Sequence, residues 1–317
     1  MLLSISIIIA YIFDRLIGDP KALPHPVVLI GNCISKLEEL IRKSGFKNLK
    51  MAGLLFPLLI VGGTYLVVSL LLELSKLVHP FLFLFIQIIL ISSTIATKGL
   101  ADAGLGIYHL LIKKDLEQAR YSLSMIVGRD TENLGEVEIT RGTVETVAEN
   151  IVDAIISPLF FALIGGAPLA MAYRATNTLD SMIGYKNEKY KDLGWASARL
   201  DDILNFIPAR ITGLLLIVAS LLLRLDAKKA LTIIIRDAKL HPSPNSGIPE
   251  SAVAGALQIQ LGGTNYYKGI PSHRAVMGDS HRPLQADDIL KTVKMMKTSV
   301  NVFIGMILLG VLVGVLV

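Results

Sequence analysis

The run Ala52-Gly-Leu-Leu-Phe-Pro-Leu-Leu-Ile-Val-Gly-Gly-Thr-Tyr-Leu-Val-Val-Ser-Leu-Leu-Leu72 contains no charged residue. A stretch of about 20 such residues, coiled as a helix, crosses roughly 30 Å of hydrocarbon. A second uncharged block, Val78 to Thr97, follows after only Glu73 to Leu77, so residues 52–72 and 78–97 read as a tight helical hairpin. Residues 300–317, Val300 to Val317, form a third uncharged block. The opening segment, 2–17, is apolar from Leu2 to Phe13 and is stopped by Asp14 and Arg15. It lacks the basic n-region and small-residue cleavage site of a signal peptide, and reads as a short retained helix.

Composition agrees with membrane residence. The 317 residues have a mean hydropathy of +0.59, with 52% hydrophobic and 18% charged residues, whereas soluble domains carry nearer a quarter charged residues. The sole cysteine, Cys33, excludes an intrachain disulfide and a cysteine-rich zinc site. A net charge of +5 fits basic loops on the cytoplasmic side. No basic stripe with interleaved aromatics points to nucleic acid.

Four polar stretches separate the apolar blocks: Gly18 to Met51, Lys98 to Asn150, Tyr173 to Asp202 and Arg224 to Ser299. The first and last are rich in Lys and Arg, which places them in the cytoplasm, and parity places Lys98 to Asn150 there too. Residues 151–172 contain Asp153 and a Gly165-Gly166-Ala167-Pro168 break, and residues 203–223 contain Pro208 and Arg210. Each either crosses the bilayer or dips in and returns, because intramembrane charges and Gly or Pro breaks line cavities. The expected fold is therefore an all-α polytopic membrane protein, a single domain over 1–317. It has four to six hydrophobic helices, with polar helical and loop stretches on the cytoplasmic side.

The run Arg141 to Asp153 places Glu145, Glu149 and Asp153 at i, i+4 and i+8, on one helix face. Three like charges there need compensation from Mg²⁺, a cationic substrate or arginines of another segment, unless the face is merely solvated. In Tyr173 to Tyr185, Arg174, Asn177 and Ser181 align with Asp180 beside them, a set suited to phosphate recognition or to interhelical hydrogen bonding. Asp201 and Asp202 lie one turn before Asn205, as divalent-cation ligands or as a cap. Asp237 and His241, one turn apart, suggest a carboxylate-oriented acid–base pair. The turn Ser243-Pro-Asn-Ser-Gly247, with Asn245 and Ser246, could offer a helix N-terminus to phosphate. Gly262-Gly263 and Gly278-Asp279 read as plain turns. No Walker P-loop, dinucleotide fingerprint or serine nucleophile elbow is present.

In their order along the chain these runs resemble the adenosylcobinamide-phosphate synthase family of cobalamin biosynthesis. The resemblance begins at Asp14-Arg-Leu-Ile-Gly-Asp-Pro20 and His25-Pro-Val. It continues through Gly128-Arg-Asp-Thr131, Val144-Glu-Thr-Val-Ala-Glu-Asn150, Asn177 to Tyr185, Ala198-Arg-Leu-Asp-Asp202 and Pro208-Ala-Arg210. It ends with Arg236-Asp237, His241 to Gly247 and Pro249-Glu250. The resemblance implies an ATP- and Mg²⁺-dependent ligase in the cell membrane, its active face cytoplasmic. That enzyme would join adenosylcobyric acid to (R)-1-aminopropan-2-ol O-phosphate or ethanolamine phosphate. Under it, Glu145, Glu149, Asp237 and His241 are the expected catalytic groups. Arg129, Arg141, Arg174, Asn177, Asp180, Arg236, Asn245 and Ser246 are the expected substrate and phosphate contacts, and Asp153, Asp201 and Asp202 the metal ligands. Expected partners are the corrinoid, the amino-alcohol phosphate, the lipid bilayer and docked soluble corrinoid enzymes, with no nucleic acid. A transporter and a non-catalytic scaffold are the alternatives. The missing inverted repeat argues against the first and the dense polar runs against the second.

Overall fold

A computed structural model describes residues 1–18 and 25–316. Asp19 and Pro20 of the N-terminal motif, and Val317 of the third apolar block, lie outside the described residues. The described residues are 74% helical. In order come α1 (Leu2–Leu16), α2 (Pro26–Lys43), α3 (Leu49–Ala52), α4 (Gly62–Val78), α5 (Pro80–Ser92), α6 (Thr97–Ile112) and α7 (Leu116–Ser124). Next are α8 (Glu136–Ile151), α9 (Ser157–Ile183), α10 (Trp195–Leu204), α11 (Phe206–Leu222), α12 (Ala227–Asp237) and α13 (Gly247–Leu257). The strands β1 (Leu261–Tyr267) and β2 (Ile270–Met277) precede α14 (Asp287–Leu316).

Among the described residues four helices are long and apolar enough to cross a membrane: Leu49–Val78, Pro80–Ile112, Glu136–Ile183 and Asp287–Gly314. The pair α10 and α11 passes the same test only jointly, across a 44° bend, and makes a fifth where the bent pair is one span and not a re-entrant loop. Along α4 the side chains of Leu66, Val67, Leu70 and Leu74 are exposed, the surface that lipid covers in a polytopic α-helical membrane protein. Both segments expected to cross or dip fall inside these elements, 151–172 in the third and 203–223 in the bent pair.

Three boundaries differ from expectation. Glu73 to Leu77 is not a loop. It completes α4, and the chain turns at His79-Pro80 instead. Proline cannot supply the N–H that would continue the helix, and the His79 side chain accepts the Phe81 N–H at 3.2 Å to start α5. The stretch from Lys98 opens as helix α6, and the last span begins at Asp287, well before Val300.

By its packing the described chain divides into two compact units, one of residues 1–96, 153–205 and 307–317, the other of 97–152 and 206–306. In the first unit α9 is broken where the sequence places Gly-Gly. Gly165 and Gly166 leave helical geometry, and Gly166 takes φ 65°, a conformation glycine adopts without penalty. In the second unit α13 is buried along its whole length. A Cβ on Gly255 would meet the Lys229 carbonyl oxygen at 2.5 Å, so this glycine sets how closely α12 and α13 approach. Val152, Ala209 and Ile248 form a core with Ile234 and Ala238.

The second unit also contains an element absent from the all-helical expectation. Gly262-Gly263, read as a turn, lies inside the first strand of an antiparallel hairpin of β1 and β2, with a bulge between Leu261 and Gly263, and Gly278-Asp279 follows the second. At its tip Lys268 and Gly269 have φ of 53° and 77°, the positive pair of a two-residue hairpin turn. Asp130 clamps that tip by accepting the N–H groups of Lys268 at 2.9 Å and Gly269 at 2.7 Å.

Candidate active site

Polar side chains gather in each unit. In the first unit, Asn205 at the end of α10 is the hub. Its carbonyl oxygen accepts from Ser157 Oγ at 2.6 Å and Tyr173 OH at 2.8 Å, and its amide donates to Asp201 Oδ2 at 2.9 Å. Asp201 is 9% exposed, and its other carboxylate oxygen is buried with no hydrogen-bond partner. Asp180 and Asp202 are the neighbouring like charges. On α9, Arg174 Nη1 lies 3.4 Å from Asn177 Oδ1, and Asn177 donates to Asp153 Oδ2 at 3.4 Å. Asp153 therefore does not complete a carboxylate ladder. The α-helical register of Glu145 and Glu149 ends at Ile151, and Asp153 sits in a π-helical turn, Val152–Ile156, whose wider winding breaks the four-residue spacing.

The second unit answers the question of what compensates the rest of the ladder. Arg129 Nη2 donates to Glu145 Oε2 at 2.7 Å, both side chains being almost fully buried, and the Gly262 N–H donates to Glu145 Oε1 at 2.8 Å. Asn265 Oδ1 accepts from Arg129 at 2.8 Å and from Arg141 at 3.0 Å. Arg141 also donates to the Gly262 and Thr264 carbonyls. Glu145, Arg129 and Arg141 are thus tied into a network that pins β1 to α8. Next to Arg141 lies a cavity of about 380 Å³, bordered also by Val137, Gln260, Thr264 and Leu284.

One turn further along α8, Glu149 is half-buried and, among the described residues, accepts from a neutral donor, Ser246 Oγ at 2.9 Å. Ser246 opens α13, and Glu250 follows on its first turn. Glu250 is 1% exposed and its Oε1 has no hydrogen-bond partner. His241 Nε2, likewise buried and unpartnered, lies 3.6 Å from that oxygen. Burial drives the Glu250 carboxyl well above its ordinary value, and the charges of Glu149 and Glu145 push it the same way against Arg274 and Arg129. Burial also lowers His241, leaving the ring neutral near pH 7, although Glu149 and Glu145 pull it upward. The Ser243 N–H donates to His241 Nδ1 at 3.0 Å, with the Ser243 carbonyl at 3.2 Å. A neutral ring that accepts at Nδ1 carries its hydrogen on Nε2, aimed at Glu250.

Asp237 does not orient His241. The α-helix ends at Asp237 and tightens into a 3₁₀ turn over Ala238–Leu240, so the four-residue spacing does not bring the two side chains together. Asp237 instead binds Arg236 at 2.6 and 2.8 Å and the Gly278 N–H at 2.8 Å, and Arg236 reaches Asp279 at 2.9 Å. This knot joins the end of α12 to the exit of β2, which makes Arg236 and Asp237 architectural. Asn245 accepts from Arg210 at 2.9 Å, which holds the turn before α13 to α11. Spacing along the sequence does not single out Glu250, Asn265 or Arg274 as site residues. Glu250 was visible only as the end of the Pro249-Glu250 motif, and the other two sit in a hairpin read as turns.

No group of three or more His, Cys, Asp or Glu among the described residues could hold a metal ion. Mg²⁺ does not require such a cage, since it usually keeps waters and phosphate oxygens and takes one or two carboxylates. The unpartnered oxygen of Asp201 fits that role, with Asp202 beside it.

The family described as CobD/Cbib protein matches residues 7–296. "Cobalamin biosynthesis protein CobD" of Clostridium perfringens is 48% identical over 314 residues, 99% of this chain and 97% of its own. The CobD of Geobacter metallireducens is 48% identical over 290 residues, 92% and 91% of the two chains. "Cobalamin biosynthesis protein CbiB" of Salmonella typhimurium is 46% identical over 290 residues, 91% of each. No solved structure matches. With a family match over nearly all of its length and relatives close to half identical, the chain belongs to the CobD/CbiB family.

Proposed function

We propose that this membrane protein works in cobalamin biosynthesis as an ATP-dependent amide ligase, joining a propionate carboxyl of adenosylcobyric acid to the amine of an amino-alcohol phosphate. The observation that carries the reading is the cluster of Glu149, His241, Glu250 and Arg274, in a chain whose relatives are named for cobalamin biosynthesis. ATP supplies the activation that a carboxylate lacks, as an acyl phosphate whose phosphate leaves when the amine attacks. The attacking nitrogen arrives as an ammonium and must lose its proton, and Glu149, half-buried and held by a neutral donor, is the group that takes it. Arg274, drawn by the charges of Glu149, Glu250 and Glu145, attracts the phosphate end of the same small substrate. The cavity beside Arg141 is within the size range of small-molecule sites and has a lining of mixed polarity, with Arg141 and Arg282 available to the nucleotide. Asp201 and Asp202 would hold Mg²⁺.

The test is turnover by purified protein with adenosylcobyric acid, Mg-ATP and, separately, the aminopropanol and ethanolamine phosphates. Adenosylcobinamide phosphate, or its ethanolamine counterpart, is the expected product. ATP-independent flux through reconstituted vesicles with no product would replace the ligase by a transporter. The reading also places the active face in the cytoplasm. Cysteines introduced singly near Lys189 and Gln260, in a Cys33-free background, should react with a membrane-impermeant thiol reagent only from that side.

A further inference from the structure

We propose that Glu250, with Glu149, forms the subsite that binds the primary ammonium of the amine substrate, and that His241 holds Glu250 in place by presenting Nε2–H to it. This assignment rests on the ligase reading and adds the residues that recognise the amine. Two buried carboxylates, one on α8 and one on α13, differ in how they are matched. Glu145 has a guanidinium and a backbone N–H for its two oxygens, whereas Glu250, equally buried, leaves Oε1 without a partner. Unsatisfied carboxyl oxygens inside a protein are costly, so a buried one that persists marks a place completed by something else. The second orphan, His241 Nε2, points at the same oxygen from 3.6 Å. At 3.6 Å the Nε2–H lies beyond hydrogen-bonding distance, so the oxygens of Glu250 and Glu149 are left as the acceptors for a cation with several hydrogens to donate.

The neighbouring charges suit a single added positive charge. Arg129 is already matched to Glu145 at 2.7 Å. Arg274 on β2 lies in the field of Glu149, Glu250 and Glu145, and His241 is neutral. With Glu250 protonated the cluster is near balance. A bound ammonium, R–NH₃⁺, tips it and favours the ionised carboxylate, so binding favours loss of the Glu250 proton to solvent. A guest cation thus replaces a proton, and linkage makes this measurable as proton release on binding.

The experiment is calorimetric titration of full-length protein in detergent with ethanolamine phosphate near pH 7, in buffers of different ionisation enthalpy. Wild type should release protons as the amine binds, and Glu250→Gln should release none and bind at least about tenfold more weakly. His241→Asn, whose side-chain amide can still cap the Ser243 N–H, should lower affinity while keeping the proton release. Glu250→Asp serves as a second variant if the glutamine protein does not fold. It should restore part of the release, since it restores the acid. Release unchanged in Glu250→Gln, or absent in wild type that turns substrate over, overturns the subsite and leaves the ligation standing. Failure of wild type to use any amine phosphate overturns the ligation and the subsite with it.

Discussion

The His79-Pro80 and His241-Pro242 turns share a local device and differ in what surrounds it. In each, proline removes a backbone donor and the histidine Nδ1 accepts the N–H two residues on, at 3.2 Å in the first and 3.0 Å in the second. His25-Pro26 repeats the device at 3.2 Å. At His79 the matter ends there: the ring is exposed and stacks on Phe81, and the turn does no more than start α5. At His241 the opposite edge of the ring is buried against Glu250, in the field of Glu149, Glu145 and Arg274. A cap becomes a candidate functional residue because of what the tertiary fold brings to its free nitrogen.

The strongest way to sharpen this contrast is Glu149→Gln. Loss of the proton acceptor should cut turnover by roughly 10²–10⁴-fold with membrane insertion intact, and a product-formation assay on equal amounts of purified protein checks it. Retained turnover would remove the acid–base role from the His241 side of the molecule. Glu145→Gln attacks the scaffold instead. It strands Arg129 in a buried position, and the expected cost is about 3–5 kcal/mol of stability, read from denaturant melts. If that variant is as stable as wild type, the Arg129–Glu145 pair does not hold β1 to α8.

Smaller effects separate the two histidines. His79→Asn and His241→Asn both keep a capping oxygen, so each should lose no more than about 1 kcal/mol of stability. Only the second should lower affinity for the amine phosphate, and equal effects at the two sites would dissolve the comparison. The smallest effect is on pH dependence. Glu250 titrates above its ordinary 4.5 in the folded protein, so the folded state binds the extra proton and stability falls as pH rises through that window. His241, held below its ordinary 6.5, acts in the opposite sense: the unfolded chain binds the proton more readily, and stability falls as pH drops below 6.5. Melting temperatures across pH should therefore show Glu250→Gln flattening the alkaline-side loss while leaving the acid-side loss in place.

Much of the helical architecture was open to direct reading, because uncharged runs such as 52–72 have one physical solution in lipid. The hairpin of β1 and β2 was legible too, in principle. Tyr266-Tyr267-Lys268-Gly269-Ile270 places a glycine turn between β-forming residues, but Gly262-Gly263 within the first strand and Gly278 just after the second carry a turn signal of their own. The two-unit organisation was not legible, since the chain passes back and forth between the units and no linker marks the crossings.

Composition and spacing by themselves determined that this chain lives in a membrane as a helical protein, and that Glu145 and Glu149 share a helix face. Both follow from local rules, the length of an apolar run and the pitch of a helix. Only the tertiary structure decided which carboxylates are neutralised and which stand unmatched. A π-helical turn takes Asp153 out of the ladder's register, a 3₁₀ turn separates Asp237 from His241, and Arg129 claims Glu145. Pairing of charges depends on groups far apart in the chain, and spacing along a single segment carries no information about them.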